Sequence, residues 1–313
     1  MSLTSFLKKP DSRTLFSYHI QDPERKLEGK LKAPSISKNY NLVGIAFDYL
    51  LRFSIQHRFR ESISGKWIAE TACDLMEFLL PTISGGDSED IINYGENLSE
   101  KDFSHYLNYM RAKTELEIAK TNQQKYLIDG ILSDDLLRST LVLAQLDLFF
   151  RDKYFSGNFG EIEIQDIQDL RNLITIVDFS QFQPRNTCIL NPTFNKASIL
   201  IGGADADLVI DNCLIDIKTV KDPVIKKEWI YQLVGYYILG RIGGIGPEGM
   251  AGEKIETLGI YFSRYGILKM FDIKELIDLN KLPNFVETFK KMAVDEYPEN
   301  YTRFLKITEE KTL

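Results

Sequence analysis

The spacing of apolar side chains divides the chain into a helical first part and a second part that is richer in strands. Over residues 42–60, apolar side chains recur every four positions, as at Ile45, Tyr49 and Phe53, a period that predicts a helix with one buried face. Similar patterns predict helices at 66–81, 101–121, 123–132, 136–153 and 164–177, and the stretch Ser133-Asp134-Asp135 is the expected N-cap of the helix at 136–153. Residues 1–38 are polar and interrupted by prolines, and are predicted to form an irregular arm.

From residue 187 the pattern changes to short apolar runs that are typical of strands. Strands are predicted at 187–190, 198–210, 213–220, 257–262 and 267–271, and helices at 224–239, 273–280 and 283–295, with a glycine-rich loop at 243–252. This order predicts an α/β fold. Its two regions are a mostly helical region at 1–185 and a core at 186–313.

The stretch with the clearest chemistry is a predicted β-hairpin that turns at the Asp-Asn dipeptide of residues 211–212, since both residue types tolerate the backbone of a tight turn. Side chains alternate between the two faces of a strand. One face is entirely apolar and consists of Ala206, Leu208, Ile210, Cys213, Ile215 and Ile217. On the other face, a two-residue loop places Asp207 opposite Asp216 and Asp205 opposite Lys218.

The opposed carboxylates of Asp207 and Asp216 predict a metal site. At about 5 Å, two carboxylates repel each other by roughly 3 kcal/mol at an effective dielectric constant near 20. Lys218 offsets part of this repulsion, and a divalent cation such as Mg²⁺, which prefers carboxylate and phosphate oxygens, would offset more. Asp205 is the alternative ligand if the hairpin register slips. The non-functional interpretation is that the acidic face is simply solvated.

Composition and charge narrow the class of protein. With 44% hydrophobic and 27% charged residues, the 313-residue chain has the composition of an ordinary globular protein. It shows neither a signal-peptide pattern nor a run long enough to span a membrane, so we expect a cytoplasmic protein without a membrane partner. Three widely spaced cysteines argue for reduced thiols and against a four-cysteine metal or iron–sulfur site. A net charge of −7 does not indicate a nucleic-acid-binding protein, although residues 218–227 carry a local excess of lysine.

Three motifs together resemble the PD-(D/E)XK nuclease superfamily, in its RecB-like branch with a QxxxY motif. The first two motifs follow one another in the order Asp207, Asp216-Ile217-Lys218, Gln232, Tyr236. The third, at residues 44–48, is similar to an upstream helix of that branch that reaches the metal, with Asp48 where a histidine is frequent. The resemblance covers residues 44–51 and about 187–271, and it does not account for the helical segment between them.

The resemblance implies a restriction-endonuclease-like core, in which helices flank a mixed central β-sheet, with a large helical N-terminal part whose helix at 42–60 packs on that core. It implies hydrolysis of phosphodiester bonds in DNA with Mg²⁺ or Mn²⁺ as cofactor. The implied metal ligands are Asp48, Asp207, Asp216 and the backbone carbonyl of Ile217. Lys218 would orient or help to deprotonate the attacking water, while Gln232 and Tyr236 would border the site.

Other interpretations of the same residues stay open. The fold could serve as a nucleic-acid-binding or complex-assembly module that no longer cuts, or as a nuclease that acts on RNA. Gln232 and Tyr236 could be ordinary packed helix residues, and Asp48 could be a solvated residue paired with Arg52 four positions later. The candidates for non-specific phosphate contacts are Lys221, Lys226, Lys227 and Arg264.

Overall fold

The computed structural model describes residues 2–79, 100–152, 155, 158–222, 224–247 and 255–309. The chain forms two compact units. The sheet unit consists of Met1–Pro34, Phe59–Gly65 and Ile176–Leu313, and the helical unit of Ser35–Arg58 and Lys66–Thr175. This division differs from the expected single boundary after residue 185, because the sheet unit also takes up the first residues of the chain and a short segment at 59–65.

The described part of the sheet unit contains a six-stranded mixed sheet, which agrees with the α/β class. Its strands, in spatial order, are β1 (Ile63–Ser64), β2 (Cys188–Leu190), β3 (Leu208–Ile210), β4 (Cys213–Lys218), β5 (Thr257–Phe262) and β6 (Ile267–Asp272). The pairs β1–β2 and β4–β5 are parallel, and the other neighbouring pairs are antiparallel. All three residues of β3 and the middle of β4 are buried, so this hairpin lies inside the fold and not on its surface.

The turn between β3 and β4 has the predicted length. Ile210 pairs with Cys213, which confirms the two-residue loop. Asp211 adopts a left-handed backbone with φ of +50°, and its carboxylate accepts hydrogen bonds from the backbone N–H groups of Arg185, Asn186 and Thr187. This carboxylate therefore ties the turn to the segment that enters β2.

The predicted strand at 198–210 is wrong over its first half. Residues Lys196–Leu200 form the short helix α8, and the strand begins only at Leu208. The hydroxyl of Ser198 accepts a hydrogen bond from the Phe194 N–H and donates one to the Ala204 carbonyl, which closes the chain into a loop. A short apolar run such as this one cannot be told from a buried helix by its periodicity alone.

Residues near the N-terminus form helices, whereas an irregular arm was predicted. Helix α1 (Leu3–Leu7) packs against α9 (Lys227–Gly243), which itself lies against β4 and β5. Leu3 approaches so closely that a Cβ atom at Gly235 of α9 would lie 3.0 Å from its side chain. Helix α2 (Pro10–His19) buries Phe16 against Tyr231 and Phe285. Helices this short are unstable alone, so tertiary packing decides their formation.

The remaining described α-helices follow the predicted pattern more closely, with one exception. In the sheet unit, α10 (Ile273–Leu276) and α11 (Leu282–Glu296) lie where helices were predicted, whereas α12 (Pro298–Glu309) was not predicted. In the helical unit they are α3 (Tyr40–Arg58), α4 (Ile68–Phe78), α5 (Glu100–Asp129), α6 (Asp134–Asp152) and α7 (Ile164–Thr175). Helix α6 packs against α3, α4, α5 and α7, and the Ser133 hydroxyl accepts from the Leu136 N–H, which confirms the predicted N-cap.

Helix α5 is continuous where two pieces were predicted. The predicted end of the helix at 66–81 and the second half of the glycine-rich loop at 243–252 lie outside the described residues. Among the helices that are described, none is both long enough and apolar enough to cross a membrane.

Candidate functional site

The centre of the site is a buried ion pair on β4. Asp216 and Lys218 are two positions apart and therefore share one face of the strand. Leu214, the preceding residue on that face, belongs to the apolar core that includes α9. Asp216 is only 4% exposed, and the Lys218 Nζ lies 2.7 Å from its Oδ2 atom. Burial contradicts the interpretation of Asp216 as a solvated surface residue.

Burial raises the pKa of Asp216 to about 6. The positive charge of Lys218 and its hydrogen bond lower this pKa, and the nearby charge of Asp207 raises it. The lysine thus compensates only part of the cost of keeping the carboxylate charged inside the protein. Asp216 is therefore held in an unfavourable ionised state that additional positive charge would relieve.

Asp207 lies immediately before β3 and faces β4. Its Oδ2 atom accepts a hydrogen bond of 2.6 Å from the Ile217 N–H. The charge of Asp207 raises the pKa of Asp216, so the two carboxylates lie near each other at this end of the hairpin. A metal-binding role of the Ile217 carbonyl stays a prediction.

Gln232 and Tyr236 of α9 extend this pair into a hydrogen-bonded chain. Lys218 Nζ donates to Gln232 Oε1 at 3.2 Å, and Gln232 Nε2 donates to Tyr236 Oη at 2.8 Å. An ammonium group has only donors, so the Gln232 amide must turn its oxygen to Lys218 and its NH₂ group to Tyr236. The structure thus brings together four residues that the sequence placed in one candidate site.

Tyr236 remains a neutral phenol. It is buried and stacks on Phe194 at 5.4 Å between ring centroids. Burial raises its pKa well above the usual value, and the charges of Asp216, Asp205 and Asp207 raise it further. Its oxygen accepts the hydrogen bond from Gln232.

Asp205 does not take the predicted place opposite Lys218. The β3–β4 ladder ends at Leu208 and Ile215. Before that point the chain follows the extension of β2, where Asp205 forms an isolated bridge with Thr193 and the Ala206 N–H donates to the Pro192 carbonyl. The two-residue loop thus places Asp207 beside Asp216. Asp205 affects the site through its charge, which raises the pKa of Tyr236.

Asp48 lies on α3 in the helical unit and is half-buried. Arg52 is itself buried, stacks on the Tyr49 ring at 4.7 Å and donates from Nε to the backbone carbonyl of Asp48. Arg52 is therefore not the solvated partner that the i, i+4 interpretation assumed. A metal-binding role of Asp48 stays a prediction.

The four candidates for phosphate contacts differ in how far their side chains are exposed to solvent. Lys221 and Lys226 are exposed, and Lys227 is half-buried. The prediction for Arg264 is wrong, because this side chain is 2% exposed and donates to the Ala33 carbonyl at 3.1 Å. It serves the packing of the N-terminal segment instead.

Trp229 also lies at the site, although the sequence pattern did not identify it as a candidate site residue. Its ring centroid lies 5.9 Å from the Lys218 ammonium, within the range of a cation–π contact. Trp229, Gln232 and Tyr236 have the spacing i, i+3, i+7, which places them on one helix face and is the signal that could have identified Trp229.

The donor set fits a hard divalent cation that keeps part of its water shell. Mg²⁺ is usually bound through one or two carboxylates together with water and phosphate oxygens. Throughout the described ranges, no three acidic, histidine or cysteine side chains group as a metal site, so Asp207 and Asp216 are the two carboxylates available here. Comparisons of the chain with protein-family models, with curated proteins and with solved structures gave no match.

Proposed function

We propose that this protein is a metal-dependent nuclease that hydrolyses phosphodiester bonds in DNA, with a restriction-endonuclease-like sheet and a RecB-like site. The observation that carries the proposal is the buried Asp216–Lys218 pair linked through Gln232 to Tyr236. A buried ion pair is weak support for stability, because desolvation costs several kcal/mol per ion. Titratable groups with strongly shifted pKa values cluster at functional sites, so a catalytic role explains this costly arrangement.

Asp207, Asp216 and the Ile217 carbonyl would hold Mg²⁺ or Mn²⁺. When bound, such an ion acidifies water and stabilises negative charge on a phosphate. Burial makes the ionised form of Asp216 unfavourable, so a bound cation would stabilise this carboxylate. Asp207 is fixed in orientation by the Ile217 N–H.

Lys218 is positioned to stabilise charge on the phosphate. Lys218 forms an ion pair with Asp216 and donates to Gln232, and an ammonium has three protons to donate. Gln232 fixes the position of Lys218, and Tyr236 fixes Gln232. Preorganised donors of this kind need no rearrangement as charge develops during the reaction.

The direct test is a cleavage assay on single-stranded, duplex and nicked DNA and on labelled RNA, with Mg²⁺, Mn²⁺ or EDTA. We expect metal-dependent cleavage that Lys218→Ala lowers by roughly 10²–10³-fold, as removal of one preorganised donor typically does. Asp216→Asn should also abolish cleavage, and Lys218, which then lacks its ion-pair partner, keeps its hydrogen bond to Gln232 and is partly exposed. Lys274→Ala, at an exposed lysine of α10, is the matched control and should cleave like the wild type.

The outcomes separate the alternatives. Binding without cleavage under every metal condition would indicate a module that no longer cuts. Cleavage of RNA in preference to DNA would assign the same site to an RNA-directed nuclease. Unchanged cleavage by Lys218→Ala would place the chemistry elsewhere in the molecule.

A further inference from the structure

A cavity of about 630 Å³ opens directly beside the candidate site. One wall consists of Lys218, Trp229 and Gln232, so the cavity begins where the hydrogen-bonded chain of the site begins. The other wall is formed by α1 and α2. The N-terminal helices thus border the site, although the sequence pattern assigned them no functional role.

The wall made by α1 and α2 is firmly attached to the sheet unit. Leu3 and Phe6 of α1 and Phe16 of α2 are at most 2% exposed. The close approach of Leu3 to Gly235 anchors α1 on the same helix that carries Gln232. These helices therefore present their polar side chains to the cavity from a fixed position.

The cavity is basic within an acidic protein. Lys8, Arg13, Lys218 and Lys227 line it, against one acidic residue, Glu228. The chain as a whole carries a net charge of −7, so this excess is local.

The basic side chains of α2 and of the two residues between α1 and α2 differ in whether they form ion pairs. Lys9 forms an ion pair with Glu296. Lys8 and Arg13 are exposed and form no ion pair with a described residue, which leaves their charges available to an anionic ligand.

We propose that this cavity binds a segment of single-stranded polynucleotide, with Lys8, Arg13 and Lys227 on its phosphates. The inference rests on the proposed function and names the form of the substrate at that site. Pockets of about 300–1,000 Å³ hold compact organic ligands, so the cavity has room for one or two unpaired nucleotides. Cations that follow the backbone beside an aromatic side chain, here Trp229, are the usual means of binding single strands.

The test measures binding in EDTA, so that metal-dependent cleavage does not enter. The probes are a fluorescein-labelled oligothymidylate and its duplex with oligoadenylate, followed by fluorescence anisotropy over a range of salt concentrations. The variant is Lys8→Ala combined with Arg13→Ala. Its matched control, Lys30→Ala combined with Lys274→Ala, removes two exposed lysines of the sheet unit that do not line the cavity.

We expect the wild type to bind the single strand more tightly than the duplex. Loss of two phosphate contacts should weaken single-strand binding by roughly 10–30-fold at about 0.1 M salt and reduce the slope of log K against log salt by about 1.4. The control pair should change neither quantity. Circular dichroism should show that both double variants are folded.

The inference is overturned if the wild type does not bind the single strand, if it binds the duplex as tightly, or if the two double variants lose affinity equally. A cleavage assay in Mg²⁺ then separates the two proposals. Cleavage without the expected loss of binding would support the nuclease proposal and refute the proposed role of the cavity. The expected loss of binding without cleavage would support a polynucleotide-binding cavity and refute the nuclease proposal.

Discussion

Asp216→Asn should make the metal-free protein more stable at neutral and alkaline pH while abolishing cleavage. The wild-type carboxylate is buried, and its pKa is raised from 3.8 to about 6 even with Lys218 beside it. Asparagine has nearly the same shape and carries no charge, so the variant avoids the cost of an ionised group in this position. Lys218 keeps its hydrogen bond to Gln232 and is partly exposed, which limits the penalty for losing its partner.

The magnitude follows from the shift in pKa. A shift of about two units corresponds to about 3 kcal/mol, since one unit is worth about 1.4 kcal/mol. The folded state holds the Asp216 proton more strongly than the unfolded state, so its stability contribution is complete below pH 3.8 and is lost as the pH rises through about 6. The advantage of the variant should therefore be at most about 3 kcal/mol at pH 8 and should vanish near pH 4.

The assay is urea unfolding in EDTA near pH 8 and near pH 4. The chain has two tryptophans, Trp67 in the helical unit and Trp229 in the sheet unit close to Lys218. In a Trp67→Phe background, tryptophan fluorescence therefore reports on the sheet unit alone. Titration with Mg²⁺ should stabilise the wild type by about 2.7 kcal/mol at 100 times its dissociation constant. The Asp216→Asn variant should not respond at these concentrations.

Two results would refute the reasoning. If Asp216→Asn were less stable than the wild type at pH 8, the ion pair would be a net stabilising contact and would need no functional explanation. If the difference between the two proteins did not depend on pH, Asp216 would not be the group that titrates near pH 6.

Further predictions concern the surroundings of the site and the N-terminal helices. Tyr236→Phe should lower the cleavage rate at least tenfold with an unchanged circular dichroism spectrum, because it removes the hydroxyl that Gln232 contacts; an unchanged rate would exclude a role for this hydroxyl. Asp211→Ala should lower the free energy of unfolding by about 2 kcal/mol, whereas Asp211→Asn, which keeps an oxygen acceptor, should lose less than half of that; equal losses would contradict the assignment. Burial and Lys281 lower the pKa of His19, so stability should fall as the pH drops below 6.5, and His19→Gln should remove this dependence in urea unfolding.

The hairpin was predictable because its constraints are local. The Asp-Asn turn and the alternation around it determine which residues pair, and β4 and β5 are long enough for their pattern to be unambiguous. The juxtaposition of Asp207 and Asp216 follows from the even loop. The burial of Asp216 does not follow from it, because α9 covers this face and comes later in the chain.

The predictions from the sequence were wrong where residues that are distant along the chain determine the local structure. Helices α1 and α2 form because Leu3, Phe6 and Phe16 pack against α9 and α11. Arg264 can be buried because the backbone carbonyl of Ala33 accepts a hydrogen bond from its guanidinium group. No local pattern specifies such contacts, and the same limitation concealed the basic cavity.

The interleaved order of the two units has a consequence for biosynthesis. The apolar faces of α1 and α2 leave the ribosome before the helical unit, whereas α9 and α11, on which they pack, follow after it. At 5–20 residues per second the delay until α11 is made lasts about 15–55 s. During that time Leu3, Phe6 and Phe16 lack part of their native neighbours. We therefore expect nascent chains to be protease-sensitive in α1 and α2, and to bind a chaperone there, until α11 has been translated.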